Sequence, residues 1–267
     1  MNDKKLHIYH KKLYKKSKRW KNKFKKLLLD YFDVISSREK NGKDYFLNFY
    51  LRNNLKYFID ELDFVFYLSQ KNKNEFIYFL TRKMMERLLR IEYVLNLQSL
   101  DQTSYVKTLL MRSSFRYYYI EKNEGNKQAM NTFRKSFALF NIDPSKYEID
   151  NIADERQIKT KVPIPGMKKL CNKESKINNV HKWYMIYQFY CDDVHGNLIS
   201  DMIRENNKDD KMLSFYNLPA SGVILYVKEL CCVIDKYLQN RNKEELDKLI
   251  MEVHEFNERY LNKYINN

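Results

Sequence analysis

The sequence predicts an all-α fold, a multi-helix bundle of about eight to ten helices entered by a basic amphipathic helix. Three observations carry this expectation. Only 5 of 267 residues are Gly and 4 are Pro, too few for the turns of sandwiches, propellers or Gly-rich nucleotide folds. Apolar residues recur at helical spacing through most of the chain, and no sustained alternation of period two occurs. Hydrophobic residues make up 44% and aromatics 15%, which supports a sizeable core and excludes wholesale disorder.

Residues 4–34 read as one long helix. Leu6, Leu13, Trp20 and Leu27 recur at heptad spacing, Tyr9, Phe24 and Tyr31 fill the same face, and lysines occupy the rest. The charge is concentrated here: of the net +15, residues 1–26 hold +11, with 12 Lys or Arg against one acid. The remainder is a near-neutral domain, so the chain divides into a basic helix over 1–34 and a helical-bundle domain over 35–267. Two readings of the helix stand side by side. In one it is an electrostatic arm, with Lys15, Lys16, Arg19 and Lys23 meeting phosphates or a membrane surface. In the other its apolar stripe docks on the domain or on a second copy, leaving a solvated lysine face.

The next segments follow the same period. Residues 43–69 carry Phe46, Phe49, Tyr50, Leu55, Ile59, Leu62, Val65 and Phe66 and break at Lys71–Asn74. Residues 75–97 place Ile77, Leu80, Met84, Leu88, Ile91 and Leu95 on one face. Residues 103–121 form a helix ending near Gly125, and 127–140 a shorter one stopped around Asn141 and Pro144. From 141 to 179 the periodicity weakens into an irregular connection. Pro163, Pro165 and Gly166 make part of it extended, with a short helix expected around Met167–Cys171. Residues 177–205 return to helix, 206–211 are a polar loop, and 219–239 and 243–264 close the chain.

The four cysteines, Cys171, Cys191, Cys231 and Cys232, form no C-x-x-C pair and read as reduced thiols. No apolar stretch follows the basic N-terminus, and no run has the ~18 apolar residues of a membrane span, so a cytoplasmic location is expected. Signatures of P-loop NTPases, Rossmann dehydrogenases, zinc proteases and α/β hydrolases are missing from the sequence. No metal ligand set is legible and no cofactor is implied. The run Phe115-Arg116-Tyr117-Tyr118-Tyr119 could stack on bases, but helical spacing spreads these rings around the axis and sends some into the core.

Two constellations could carry chemistry. Arg82 and Glu86 are spaced i, i+4 and fall beside Met85, Leu89 and Tyr93, while Lys83, Arg87 and Arg90 take the solvated edge. A charged pair beside an apolar surface has to be satisfied, either as an intrahelical pair at a wet groove or by a partner across the bundle. The second constellation is His195, which shares a helical face with Gln188, Cys191 and Tyr184. Its ring is suited to acid/base work near neutral pH, although a core histidine would look the same in sequence.

These residues resemble a family. Leu80-Thr-Arg82-Lys-Met-Met-Glu86, continuing to Tyr93-Val-Leu, is similar to an Arg-Ser-x-x-Glu … Tyr-Ile-Leu helix. That helix recurs in uncharacterised, mostly bacterial all-helical proteins with Arg-x-x-x-Glu and Tyr-Arg-x-x-Ser-x-x-x-His motifs. The second motif stands here as Tyr187-Gln188-Phe-Tyr-Cys191-Asp-Asp-Val-His195, followed by Gly196. The likeness covers roughly residues 70–200. The family's Arg and His are spaced as in the motif of HEPN ribonucleases. By that fold-level analogy it implies a defence-type or toxin-like protein that cleaves RNA without a metal. This chain departs from the pattern, with Gln188 in the Arg position and Cys191 in the Ser position, so the cation for a phosphate would have to come from Arg82.

The resemblance and the residues together give an expectation. His195 is the acid/base, Arg82 the phosphate-binding cation and Glu86 its orienting partner. Tyr187, Gln188 and Cys191 line the site, and RNA or another nucleic acid is the partner. The rival expectation is a non-catalytic scaffold or nucleic-acid-binding module that docks, or dimerises, through the basic N-terminal helix.

Overall fold

The computed structural model describes residues 3–42, 44–71, 74–138, 143–149, 152–153, 162–177, 180, 183–185, 187–188 and 219–265. The fold is all-α. Its long helices are α1 (Asp3–Lys40), α2 (Tyr45–Gln70), α3 (Asn74–Asn96), α4 (Ser99–Asn123) and α5 (Lys127–Ala138). After the connection come α7 (Pro219–Tyr237) and α8 (Lys243–Ile265). The connection contains a 3-10 turn (Pro144–Tyr147) and a two-residue antiparallel ladder, β1 (Glu148–Ile149) with β2 (Ile152–Ala153). The expected short helix is α6 (Met167–Lys169), which widens into a π turn over Leu170–Glu174.

Four helices close a ring: α1 packs on α2, α2 on α3, α3 on α7 and α7 back on α1. Helix α8 covers α1 and α7, and α4 lies against α2 and α3 with α5 on its outer side. The core inside the ring is built from the periodic residues. Leu51, Leu55, Phe58, Leu62 and Val65 of α2 are fully buried, as are Met84, Leu88, Ile91 and Val94 of α3. Helix α7 contributes Val223, Val227, Leu230 and Ile234, all fully buried. Met111, Phe115, Tyr118 and Phe137 form a separate small cluster that holds α5 to α4.

The basic helix is a wall of this core. It runs to Lys40, beyond the expected end at 34, and buries Leu13, Trp20, Phe24, Leu27, Leu28, Tyr31 and Ile35. Trp20 meets Phe256 of α8 edge-on, with centroids 5.2 Å apart. From Leu13 onward, the apolar stripe is therefore used inside the chain, on the near-neutral domain itself. Polar groups fix the seam. The Tyr31 hydroxyl donates to Asp235 at 3.0 Å, and Asp235, itself buried, also accepts the backbone N–H of Asn242 at 2.8 Å.

Two helix ends explain sharp turns. Gly125 sits at φ +71° after α4, where its N–H bonds Lys122 O and the N–H of Asn126 bonds Glu121 O. That is a Schellman stop, and its left-handed residue favours Gly. The same pair of bonds follows α7, from Gln239 and Asn240 to Lys236 and Asp235, with both residues at positive φ.

Candidate functional site

The first constellation is assembled from two elements far apart in sequence. Arg82 Nε donates to Glu86 Oε1 at 3.1 Å, one turn along α3. The two side chains are 21% and 29% exposed, so the pair is partly solvated, beside buried Met85, Leu89 and Tyr93. It also reaches across the bundle. Arg82 Nη2 donates to the Tyr187 hydroxyl at 3.4 Å, and its guanidinium carbon is 5.1 Å from the centre of that ring. The pair is thus intrahelical and partly solvated, with Tyr187 as a contact from another element.

Tyr187 is positioned by its neighbours. Its ring stacks near-parallel on Tyr184 at 6.2 Å, and buried Trp183 sits edge-on against Tyr226 of α7 at 5.0 Å. Residues 183–185 and 187–188 are helical, and Gln188 is exposed. The structure therefore brings together Arg82, Glu86 and Tyr187. Cys191 and His195 lie outside the described residues, as do Asp192, Asp193 and Gly196.

The expected solvated edge of α3 holds only in part. Lys83 is exposed, with its ammonium 4.4 Å from the centre of the Phe79 ring. Arg87 instead turns onto α2. Its Nε is 3.1 Å from Glu61 Oε2, its Nη2 3.2 Å from Glu61 Oε1 and its Nη1 3.2 Å from Asn54 Oδ1. The forked guanidinium matches a carboxylate on the facing helix, a constraint that a single-helix wheel does not contain. Arg90 is likewise half-buried, beside Tyr50 and Tyr105.

Glu92 was not singled out by the sequence reading, and its carboxylate on α3 is buried, 4% exposed. It accepts the Ser175 hydroxyl and the Lys176 backbone N–H, the latter at 2.7 Å, and so pins the end of the π turn. The signal was a lone acid among Leu88, Leu89, Ile91, Tyr93 and Val94. Glu92 also borders a cleft of about 370 Å³ with Asn96, Lys176, Glu229, Cys232 and Lys236. Burial pushes the Cys232 thiol up to about 11, with the Glu229 charge adding to it, and burial does the same to Cys171. Neither is a thiolate nucleophile at neutral pH.

The lysines of α1 divide into two groups. Lys21 and Lys25 both pair with Asp63 of α2, the first at 2.7 Å and the second at 2.5 Å, and Lys23 pairs with Glu252 of α8. Burial raises the Asp63 carboxyl, but the hydrogen bonds and charges of the two lysines outweigh it and hold it below its ordinary value. Hydrogen bonding to Lys23 does the same for Glu252. Lys11, Lys15, Lys18 and Arg19 are exposed and Lys16 half-exposed. Lys15, Lys16 and Lys18 make no ion pair with a described residue. Of the four expected binding cations, Lys23 is thus tied into the fold, while Lys15, Lys16 and Arg19 face outward.

The aromatic run on α4 splits as its spacing requires, with Phe115 and Tyr118 buried and Arg116 and Tyr117 exposed. Among the described residues, no group of three or more His, Cys, Asp or Glu is placed to hold a metal ion. Among them too, no helix is long and apolar enough to cross a membrane. No protein-family model, no curated protein and no solved structure matches the chain.

Proposed function

We propose that this chain acts on RNA, and that it engages the phosphate backbone through the outward ridge of α1. The division of the α1 lysines carries this reading. Lys21, Lys23, Lys25 and Lys26 meet carboxylates of α2 and α8, and Lys11, Lys15, Lys18 and Arg19 remain as an outward row on a helix seated in the core. From Lys11 to Lys18 the row is about 10 Å long at 1.5 Å per residue, so adjacent cations can meet successive phosphates of one strand.

The test is the salt dependence of RNA affinity in the full chain. Deleting residues 1–26 would remove Leu13, Trp20 and Phe24 from the core, so the charge has to be removed by substitution. Replacing Lys11, Lys15, Lys18 and Arg19 by Gln should weaken binding uniformly across sequences. It should also flatten the plot of log affinity against log salt by about 0.7 for each cation that touches a single strand. An unchanged slope would remove the α1 ridge from the mechanism.

A catalytic form of this reading is supported by the Arg82–Tyr187 contact, which joins α3 to the first residue of the second motif. In it the protein is a defence-type or toxin-like ribonuclease. Arg82 supplies the phosphate-binding cation that Gln188 cannot, Glu86 orients Arg82, and His195 is the acid/base. RNA cleavage and growth arrest by the wild type, both abolished in His195→Ala and Arg82→Ala, are the expected results. Cleavage that survives His195→Ala would overturn the catalytic form and leave the binding module.

A further inference from the structure

Exposed aromatic rings gather on the outer face of α2 and α3. Tyr57, Phe64 and Tyr67 of α2 are 54%, 49% and 52% exposed, and Phe76 and Phe79 of α3 are 57% and 41%. Positions 57, 60, 64, 67 and 71 form one stripe at helical spacing, and α3 packs alongside α2. Phe64 and Tyr67 lie near-parallel, 10° apart in plane with centroids at 6.0 Å.

Cations stand among the rings. The Lys71 ammonium is 6.0 Å from the centre of Tyr67, that of Lys83 is 4.4 Å from Phe79, and the Arg87 guanidinium is 4.9 Å from Tyr57. Asp63, next to Phe64 in the chain, accepts both Lys21 and Lys25, so this face adjoins α1. From Tyr57 to Tyr67 the strip spans about 15 Å.

We propose that this strip is a stacking platform for the bases of single-stranded RNA. The proposal rests on the reading of α1 as a phosphate-binding ridge and gives that reading its substrate class. A base offers a flat π face to each ring, while its phosphate needs a cation nearby, and the exposed Lys71 and Lys83 stand beside Tyr67 and Phe79. An apolar partner helix or an acyl layer would have to cover Asp60, Lys71 and Lys83, all exposed, and strip them of water. A duplex keeps its base faces covered and can use only the ridge.

The experiment measures binding of full-length protein by fluorescence anisotropy to a labelled oligouridylate and to an RNA duplex of equal length. Sedimentation with vesicles of phosphatidylcholine and phosphatidylserine is the third arm. The single strand should bind more tightly than the duplex. Phe64→Ala, Tyr67→Ala and Phe79→Ala should each weaken the single strand about tenfold and leave the duplex unaffected. Tyr67→Phe should bind as the wild type does. The rings are exposed, and unchanged thermal melting would show that each variant keeps its fold.

Aromatic variants that bind the single strand normally, while the α1 charge variant loses affinity, would overturn the platform and spare the ridge. Absence of RNA binding by the wild type would overturn both. Loss of vesicle binding in the aromatic variants, with RNA binding intact, would overturn the platform in favour of a lipid surface.

Discussion

Glu92 shows how much a single buried carboxylate can organise. Its two acceptor oxygens take the Ser175 hydroxyl and the Lys176 backbone N–H, and they tie the irregular connection to α3. Hydrogen bonds to a charged acceptor contribute about 1.5–3 kcal/mol, and donors left unmet in a closed site cost about as much. Glu92→Ala is therefore expected to lower unfolding stability by about 2–3 kcal/mol in denaturant titration. Glu92→Gln keeps one acceptor oxygen and should lose about half of that. Equal losses in the two variants would mean that the charge, and not the hydrogen-bond geometry, holds the connection. Arg82 is the opposite case at this scale. It is half-exposed and shares its guanidinium between Glu86 and Tyr187, so little folding energy rests on it.

At the scale of elements, the Schellman stop after α4 gives a direct test. Gly125 has φ +71°, and a Cβ built on it meets nothing within 4 Å, so the cost of a side chain there is backbone strain alone. Gly125→Ala should destabilise by about 1 kcal/mol, read as a lower melting temperature, and Gly125→Asn by less. This stop was legible because Gly is rare in the chain and lies just past an amphipathic run. Helices α2, α3, α7 and α8 were legible for the same kind of reason, since the period of Leu55, Leu62, Met84, Leu88 and their neighbours is itself the buried face. The fate of Arg87 and of the α1 lysines was not. A wheel gives the direction of a side chain from its own axis, whereas Glu61, Asp63 and Glu252 belong to other helices. The pairing of Arg82 with Glu86 was local and readable from i, i+4 spacing. Its reach to Tyr187 spans 105 residues and depends on how α3 faces residues 183–188. The aromatic strip escaped notice because α2 and α3 each contribute only part of it.

On the scale of the whole molecule, the +15 charge is managed by a few carboxylates. Asp63 and Glu252 seat α1 between α2 and α8, and Asp30 of α1 is bonded by Arg241 and Asn242 at the other end. All three have folded-state values below their ordinary ones, driven by these contacts against the opposing effect of burial. A depressed carboxylate stabilises the fold above its unfolded value and loses that contribution as pH falls through its folded value. Unfolded Asp and Glu titrate near 3.9 and 4.3, so the loss begins at about pH 4 and continues below it. Protonation also removes the negative charge that balances Lys21, Lys23 and Lys25, and the repulsion along α1 grows as the clamp weakens. Melting temperature should therefore fall steeply below about pH 4 and change little from there to neutrality. In Asp63→Asn with Glu252→Gln, stability at pH 7 should drop by about 1 kcal/mol, since all three ion pairs are partly exposed. The difference from wild type should shrink as pH falls below about 4 and through the depressed folded-state values of the two native carboxylates. A gap that stays constant through the acid unfolding range below about pH 4 would show that these residues act through packing, and that ionisation does not hold α1 in the ring.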